Sequence, residues 1–140
     1  MLEIFALDEL LRNAATAQRL RLERALRPCD LSPAQFEALR HLNARESMSG
    51  AELARLSALS PQTIGVVIEN LEKKSFVRRN ADANNLRIRR IYITDAGALA
   101  LKTALLCAAD AIGPPLLNAA GAEEASAAVR FLTKLLASKR

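Results

Sequence analysis

Residues 49–97 read SGAELARLSALSPQTIGVVIENLEKKSFVRRNADANNLRIRRIYITDAG, and they hold three helix starts and one change of period. Ser49-Gly-Ala-Glu52 is a capping box, in which hydroxyl and carboxylate satisfy each other's orphan backbone donors. The short helix it opens offers Ala51, Leu53, Ala54 and Leu56 and ends near Ala58. Ser60 then caps a second helix with Pro61 at its first position, where a missing N–H costs nothing. Ile64, Val67, Ile68 and Leu71 follow at i, i+3, i+4 and i+7, one apolar face of a helix. Two capped helices joined by so short a turn predict a helix-turn-helix, with small Ala54 where the helices cross. After Lys74 the period falls from 3.6 to 2. Phe76–Asn80 suits a strand, Asn80–Asn85 a polar turn, and Arg87–Thr94 a second strand. In that second strand Arg89, Ile91 and Ile93 share one face, and Ile88, Arg90 and Tyr92 the other. A hairpin in this place predicts a wing, and Thr94-Asp95 caps the next helix.

Helices surround this segment. Upstream, Ser32, Pro33 and Gln35 form another capping box, and the helix to about Ala44 presents Phe36, Leu39 and Leu42. Leu2 to Arg27 carries apolar residues at helical spacing until Pro28 stops it. Downstream, a helix from Ala96 to about Ile112 shows Leu99, Leu101, Leu105, Leu106 and Ala109, and Pro114-Pro115 is expected to bend or break it. Gly121 opens a last helix, to about Ser138, with Val129, Leu132, Leu135 and Leu136 on its apolar side. The composition agrees: 27 alanines and 24 leucines against 5 glycines and 5 prolines favour helix. The expected class is mainly α with a small β wing, a winged helix-turn-helix flanked by N- and C-terminal helices.

Composition also excludes. At 140 residues the chain makes one domain, and 51% hydrophobic content is too high for disorder. One histidine, His41, and two cysteines 78 positions apart, Cys29 and Cys107, lack the spacing of a structural zinc site. There is no glycine-rich phosphate loop and no nucleophile–base pair, so neither an enzyme nor a cofactor is expected. Aromatics are too scarce, at 4%, for single-strand stacking platforms. No apolar run reaches the ~18 residues of a membrane span. The stretch from Ala96 to Ile112 is interrupted by Lys102 and Asp110. Acids at the N-terminus are unlike a signal peptide, which points to the cytoplasm and reduced thiols.

The net charge of +5 is concentrated. Residues 72–90 hold seven bases (Lys73, Lys74, Arg78, Arg79, Arg87, Arg89, Arg90) against Glu72 and Asp82, an excess equal to that of the whole chain. Such a concentration favours a phosphate-facing surface over a merely solvated one.

The ordered series LSPAQFEALRHL, SGAELARLSALSPQTIGVVIENLEKKSFVRR and NNLRIRRIYITDAGALAL resembles the MarR family of winged helix-turn-helix transcription regulators over nearly the whole chain. The resemblance implies one domain over 1–140, with a DNA-binding lobe at 30–95 and dimerisation helices at 1–28 and 96–140. It implies a homodimer that represses or activates genes through a pseudo-palindromic operator in double-stranded DNA. It also implies modulation by a small aromatic or phenolic effector or by thiol oxidation. Two positions depart from the pattern. Asn85-Leu86-Arg87 stands where the family has Asp-x-Arg at the wing tip, so the arginine is kept and an amide is expected to hydrogen-bond its guanidinium. Ser75 stands where the family has glycine.

A helix in the major groove reads bases with its first turns. Here those are Ser60, Pro61, Gln62, Thr63, Gly65 and Val66. Gln62 alone can make a bidentate contact with adenine, while Ser60 and Thr63 suit phosphates or a close base edge. Gly65 is either drift or a close backbone approach to DNA. Arg87 suits a narrow minor groove, with Asn85 behind it. Arg89 and Arg90 are candidates for phosphates, unless Arg90 turns inward to Asp82 or Glu72. Lys73 and Lys74 are expected to be solvated. Arg12, Arg19 and His41 are effector candidates against a plainer structural reading, and Cys29, unlike Cys107, is a candidate redox thiol. Two other readings stay open: a winged-helix protein-interaction module without DNA binding, and a thiol-based redox regulator. Apolar residues at both chain ends, from Leu2 to Leu11 and from Val129 to Leu136, exceed what one small lobe can cover.

Overall fold

A computed structural model describes residues 1–138; residues 139 and 140 of the expected 96–140 segment lie outside the described residues. The order is α1 (Leu2–Leu26), a single turn of 3-10 helix (Arg27–Cys29), α2 (Pro33–Asn43), β1 (Met48–Ser49), α3 (Gly50–Ser57), α4 (Pro61–Lys73), β2 (Val77–Ala81), β3 (Arg89–Ile93), α5 (Asp95–Ala119) and α6 (Ala122–Ala137). The capping boxes at Ser32 and Ser49 both form, with Gln35 and Glu52 reaching back to the cap N–H. Ser60 and Thr94 accept from Thr63 N and Gly97 N. The caps explain why three short helices begin where they do within 30 residues of one another.

Three helix ends close without glycine. Asp30, Ala58 and Ser75 sit in the left-handed region, at φ 53°, 53° and 62°. Each end carries the paired hydrogen bonds of a Schellman motif. At α3 these run from Ala58 N to Arg55 O and from Leu59 N to Ala54 O. An alanine Cβ pays for this backbone conformation, whereas glycine adopts it freely. Ala58→Gly should therefore raise stability by about 0.5–1 kcal/mol, read as a higher urea midpoint at unchanged slope.

The antiparallel sheet has the order β1-β3-β2, pairing Met48 with Ile91 and Val77 with Ile93. The two-stranded wing expected from sequence therefore gains a third strand. Two residues beside a helix cap show no alternation, which is why β1 left no pattern. The core joins Leu26, Phe36, Leu39 and Leu42 to Leu53, Ile64, Leu71, Ile91 and Leu101. It thus lies where α2, α3, α4, the sheet and α5 meet, and it fixes the lobe on α5.

The prolines do not end α5, which continues through Pro114 and Pro115 to Ala119. Gly113 has no Cβ to meet the ring of Pro114, which removes one steric objection to that proline; nothing in the structure accounts likewise for Pro115, which follows Pro114. Extended this way, α5 is long and apolar enough to cross a membrane by length and composition. Its Leu101, Ala104 and Ala108 are buried in the core. The ends of the chain are bare by contrast: α6 buries no residue, and Ile4, Phe5, Leu10, Val129 and Leu136 are all exposed.

Candidate nucleic-acid interface

The N-terminal turn of α4 projects from the lobe. Ser60, Pro61, Gln62, Thr63 and Val66 are exposed, and Gly65 is half-buried. The Ser60 hydroxyl accepts from Thr63 N at 3.1 Å and lies 2.9 Å from Thr63 Oγ1, so both hydroxyls are committed to the cap. Gln62 is left as the one exposed amide of this turn. A Cβ on Gly65 meets nothing within 4 Å, so no protein contact demands glycine there.

The wing tip is ordered by side chain-to-backbone bonds. Asp82 Oδ1 accepts from Asn84 N at 2.9 Å, and Asn85 Oδ1 accepts from Arg87 N at 3.1 Å. Asn85 therefore holds the backbone of Arg87 in an Asx turn, not its guanidinium as the sequence suggested. The reason is reach: an amide two residues back meets the N–H before the end of a long side chain.

The basic segment divides once its partners are known. Lys73 pairs with Glu69 at 3.4 Å and Arg79 with Glu72 at 3.6 Å. Lys74, expected to be solvated, bonds the Asp30 carbonyl, lies 3.4 Å from the Asp30 carboxylate and donates to Gln35 Oε1 at 3.3 Å. It ties the end of α4 to the turn before α2. Arg90 does turn inward, but to Ser47 and Glu52: Nε to Ser47 Oγ at 3.1 Å, Nη2 to Ser47 O at 2.9 Å and Nη1 to Glu52 Oε2 at 3.3 Å. The unexpected strand β1 brings Ser47 and Ser49 beside β3, which makes Glu52 its neighbour in place of Asp82 or Glu72. Half-buried and engaged on three sides, Arg90 anchors the wing and is not free to meet a phosphate.

Glu52 is the partner that sequence reasoning missed. Its carboxylate accepts from Ser49 N at 3.0 Å and also holds Arg90, so one side chain caps α3 and docks the wing. The Ser49 N–H, and then the nearby Arg90 charge, hold its pKa below the ordinary carboxylate value against the opposing effect of burial. Its spacing had marked it as a cap alone.

Arg78, Arg87 and Arg89 remain. Arg78 stacks on Tyr92, 4.4 Å from the ring centroid. Arg87 and Arg89 are exposed, with no acidic partner among the described residues. They flank a cleft of about 490 Å³ between α4 and the wing, whose opposite wall is Pro61, Ile64 and Gly65. Arg87 and Arg89 thus face the Pro61–Gly65 edge of α4 across one cleft, and Gln62 of the same turn is exposed outside its lining.

A second cleft, of about 680 Å³, lies between the long helices and the lobe, lined by Gln18, Arg19, Leu22, Leu59, Thr63 and Ile112 among others. Of the three effector candidates only Arg19 lines it. Arg12 pairs with Asp8 on the exposed face of α1, and half-buried His41 stands on α2 outside the cleft. Cys29 and Cys107, so distant in sequence, come within 3.9 Å of each other.

The MarR family model matches residues 31–88, the lobe just described up to the start of β3. An HTH-type transcriptional regulator of Bacillus subtilis, YwaE, is 36% identical over 90 residues, 62% of this chain and 53% of that protein, so the match spans about half its length. An HTH-type transcriptional repressor of Mycobacterium tuberculosis is 35% identical over 107 residues, 75% of this chain and 77% of that protein. The fold superimposes on a mutant MarR from E. coli complexed with operator DNA with a TM-score of 0.87, at 22% identity and 96% coverage of both chains. The element order, the lobe and these relatives agree: the chain belongs to the MarR family.

Proposed function

We propose that this protein is a non-enzymatic, cytoplasmic transcriptional regulator that binds double-stranded DNA as a homodimer. The lobe of residues 30–95 meets DNA, and the helices at 1–28 and from 96 onward pair the subunits. The observation that carries this reading is the cleft where Pro61 and Gly65 of the α4 turn face Arg87 and Arg89, which have no acidic partner among the described residues. Helix and wing then divide the work: the helix end enters the major groove and the wing arginines follow the backbone and minor groove. The bare apolar faces of α1 and α6 support pairing, since exposed apolar patches of this extent mark interfaces. The cleft beside Arg19 supports a small aromatic effector with an anionic group, held by the guanidinium over an apolar floor. Thr63 lines that cleft too, so a bound molecule sits against the reading helix.

Binding to mixed-sequence duplex should weaken steeply with salt, because neutralised phosphates release counterions. Footprints should show a pseudo-palindrome with half-site centres about 10 base pairs apart, and sedimentation should show a dimer at micromolar concentration. Salt-independent binding, a single asymmetric half-site or a stable folded monomer each overturns the reading.

A further inference from the structure

The wing tip carries an apolar side chain that contacts to phosphate leave without a role. Ile88 N donates to Asn85 O at 3.0 Å, which closes a four-residue turn with Leu86 and Arg87 at its two central positions. Beneath it, Asp82 N donates to Ile88 O at 2.8 Å. The bonds from Asn84 N to Asp82 and from Arg87 N to Asn85 hold the same loop from both sides. The turn is thus fixed by its backbone and owes little to Leu86. That residue is 79% exposed, more than any other large apolar residue of the lobe. Comparably bare residues, such as Leu2 and Leu117, lie on α1 and α5, in the segments assigned above to subunit pairing. The surroundings of Leu86 are cationic instead. Arg87 and Arg89 have no acidic partner among the described residues, and Asp82, the one acid in residues 80–90, accepts from Asn84 N.

We propose that Leu86 is a wedge that enters a base step of the minor groove beside Arg87 and makes the site selective for steps that unstack easily. This rests on the proposed function and gives the wing a source of sequence selectivity of its own. The occupant follows from the chemistry of the tip. Unpaired arginines select a polyanion, and a bare leucine beside them needs an apolar surface within it. The floor of the minor groove presents acceptors, so the apolar surface there is the face of a base. That face becomes accessible when neighbouring pairs part, which is how inserted leucines and other apolar wedges kink a duplex. Pyrimidine–purine steps (TA and CA/TG) part most readily, whereas A-tracts are stiff. A preference for those steps then arises without any hydrogen bond from the wing to a base. The cleft that sets Arg87 and Arg89 opposite the α4 turn favours a duplex over an acidic protein as the occupant.

The test selects duplexes from a random-sequence pool with the whole parent protein and with Leu86→Ala. The parent's pool should be enriched in TA or CA/TG at one fixed position on each side of the symmetry centre. Leu86→Ala should lose that enrichment and keep the rest of the site. On a duplex the parent selects, Leu86→Ala should bind about tenfold more weakly. Replacing the preferred step with AA should weaken the parent by a similar factor and Leu86→Ala hardly at all. 2-Aminopurine placed in the step should brighten with the parent and with Leu86→Met, and stay quenched with Leu86→Ala. The urea midpoint and the salt slope should not move, because the side chain is exposed and uncharged. An unchanged step preference in Leu86→Ala overturns the wedge. So does a loss of affinity equal on every step, which places the leucine against the sugars and not between bases. A parent that binds no duplex overturns the proposed function, and the wedge with it; salt-dependent binding by the parent tells the two failures apart.

Discussion

Gly97→Ala should cost about 3 kcal/mol or more, the largest loss expected from adding a single methyl group to this chain. A Cβ at this position lies 2.1 Å from the Phe76 carbonyl oxygen and 2.9 Å from its carbon. Backbone, not a flexible side chain, stands in the way. That carbonyl already accepts from Thr94 N at 3.0 Å, and the Thr94 hydroxyl donates to Ser75 O at 2.6 Å. Relieving the clash therefore means parting the start of β2 from the first turn of α5 and breaking the bonds that hold them. The wing hangs from this junction, so duplex affinity should fall with stability. Gly65→Ala is the matching control: its Cβ meets nothing within 4 Å, and it should stabilise α4 by up to about 1 kcal/mol. Urea unfolding at fixed protein concentration reads both, since a dimer's midpoint depends on concentration. If Gly97→Ala unfolds within 1 kcal/mol of the parent, about the effect expected of Gly65→Ala, the close packing of α5 on Phe76 is not what holds the wing.

How much of this was legible in the sequence depended on the range of the interaction. Caps act over three residues, and every one read from spacing, at Ser32, Ser49, Ser60 and Thr94, is present. Apolar periodicity likewise placed the core face of α4. Strand β1 escaped because its two residues hold no period and are defined only by β3, more than 40 residues on. With it went the partner of Arg90, since charge spacing along the chain nominates neighbours in sequence and Glu52 is a neighbour in space. Lys74 misled for the same reason, its partners Asp30 and Gln35 lying about 40 residues back on either side of α2's start. The continuation of α5 through Pro114 and Pro115 went unread, because a rule about prolines alone ends the helix there. The α4 turn and the wing tip, where spacing and charge placed the site, are both exposed. Of the seven bases in residues 72–90, Lys73, Lys74, Arg79 and Arg90 are engaged by carboxylates within the fold, and Arg90 alone of these had been a candidate for phosphates.

With so few cations left to face DNA, the variants Gln62→Ala and Arg87→Ala should separate sequence reading from electrostatics cleanly. Gln62 is exposed, and it is the one amide in an α4 turn whose two hydroxyls are spent on capping. A bidentate amide–adenine contact discriminates bases, so Gln62→Ala should cost about 1–3 kcal/mol per half-site on the operator and almost nothing on scrambled duplex. Both half-sites lose the contact, which makes this the largest expected effect on specific binding. Arg87 is exposed, has no acidic partner among the described residues and has its backbone fixed by the Asn85 turn, and its charge acts on any sequence. Arg87→Ala should weaken operator and scrambled duplex alike and reduce the salt slope by about one per wing. Arg90→Ala makes the contrast sharp, because its charge is already bound to Glu52 and Ser47. It should lower stability and leave the salt slope of the folded protein within error. Titrations of operator and scrambled duplex at several salt concentrations read all three variants. A slope that changes for Arg90→Ala and not for Arg87→Ala reverses the assignment of the two arginines, and the wing would then approach DNA by its base and not by its tip.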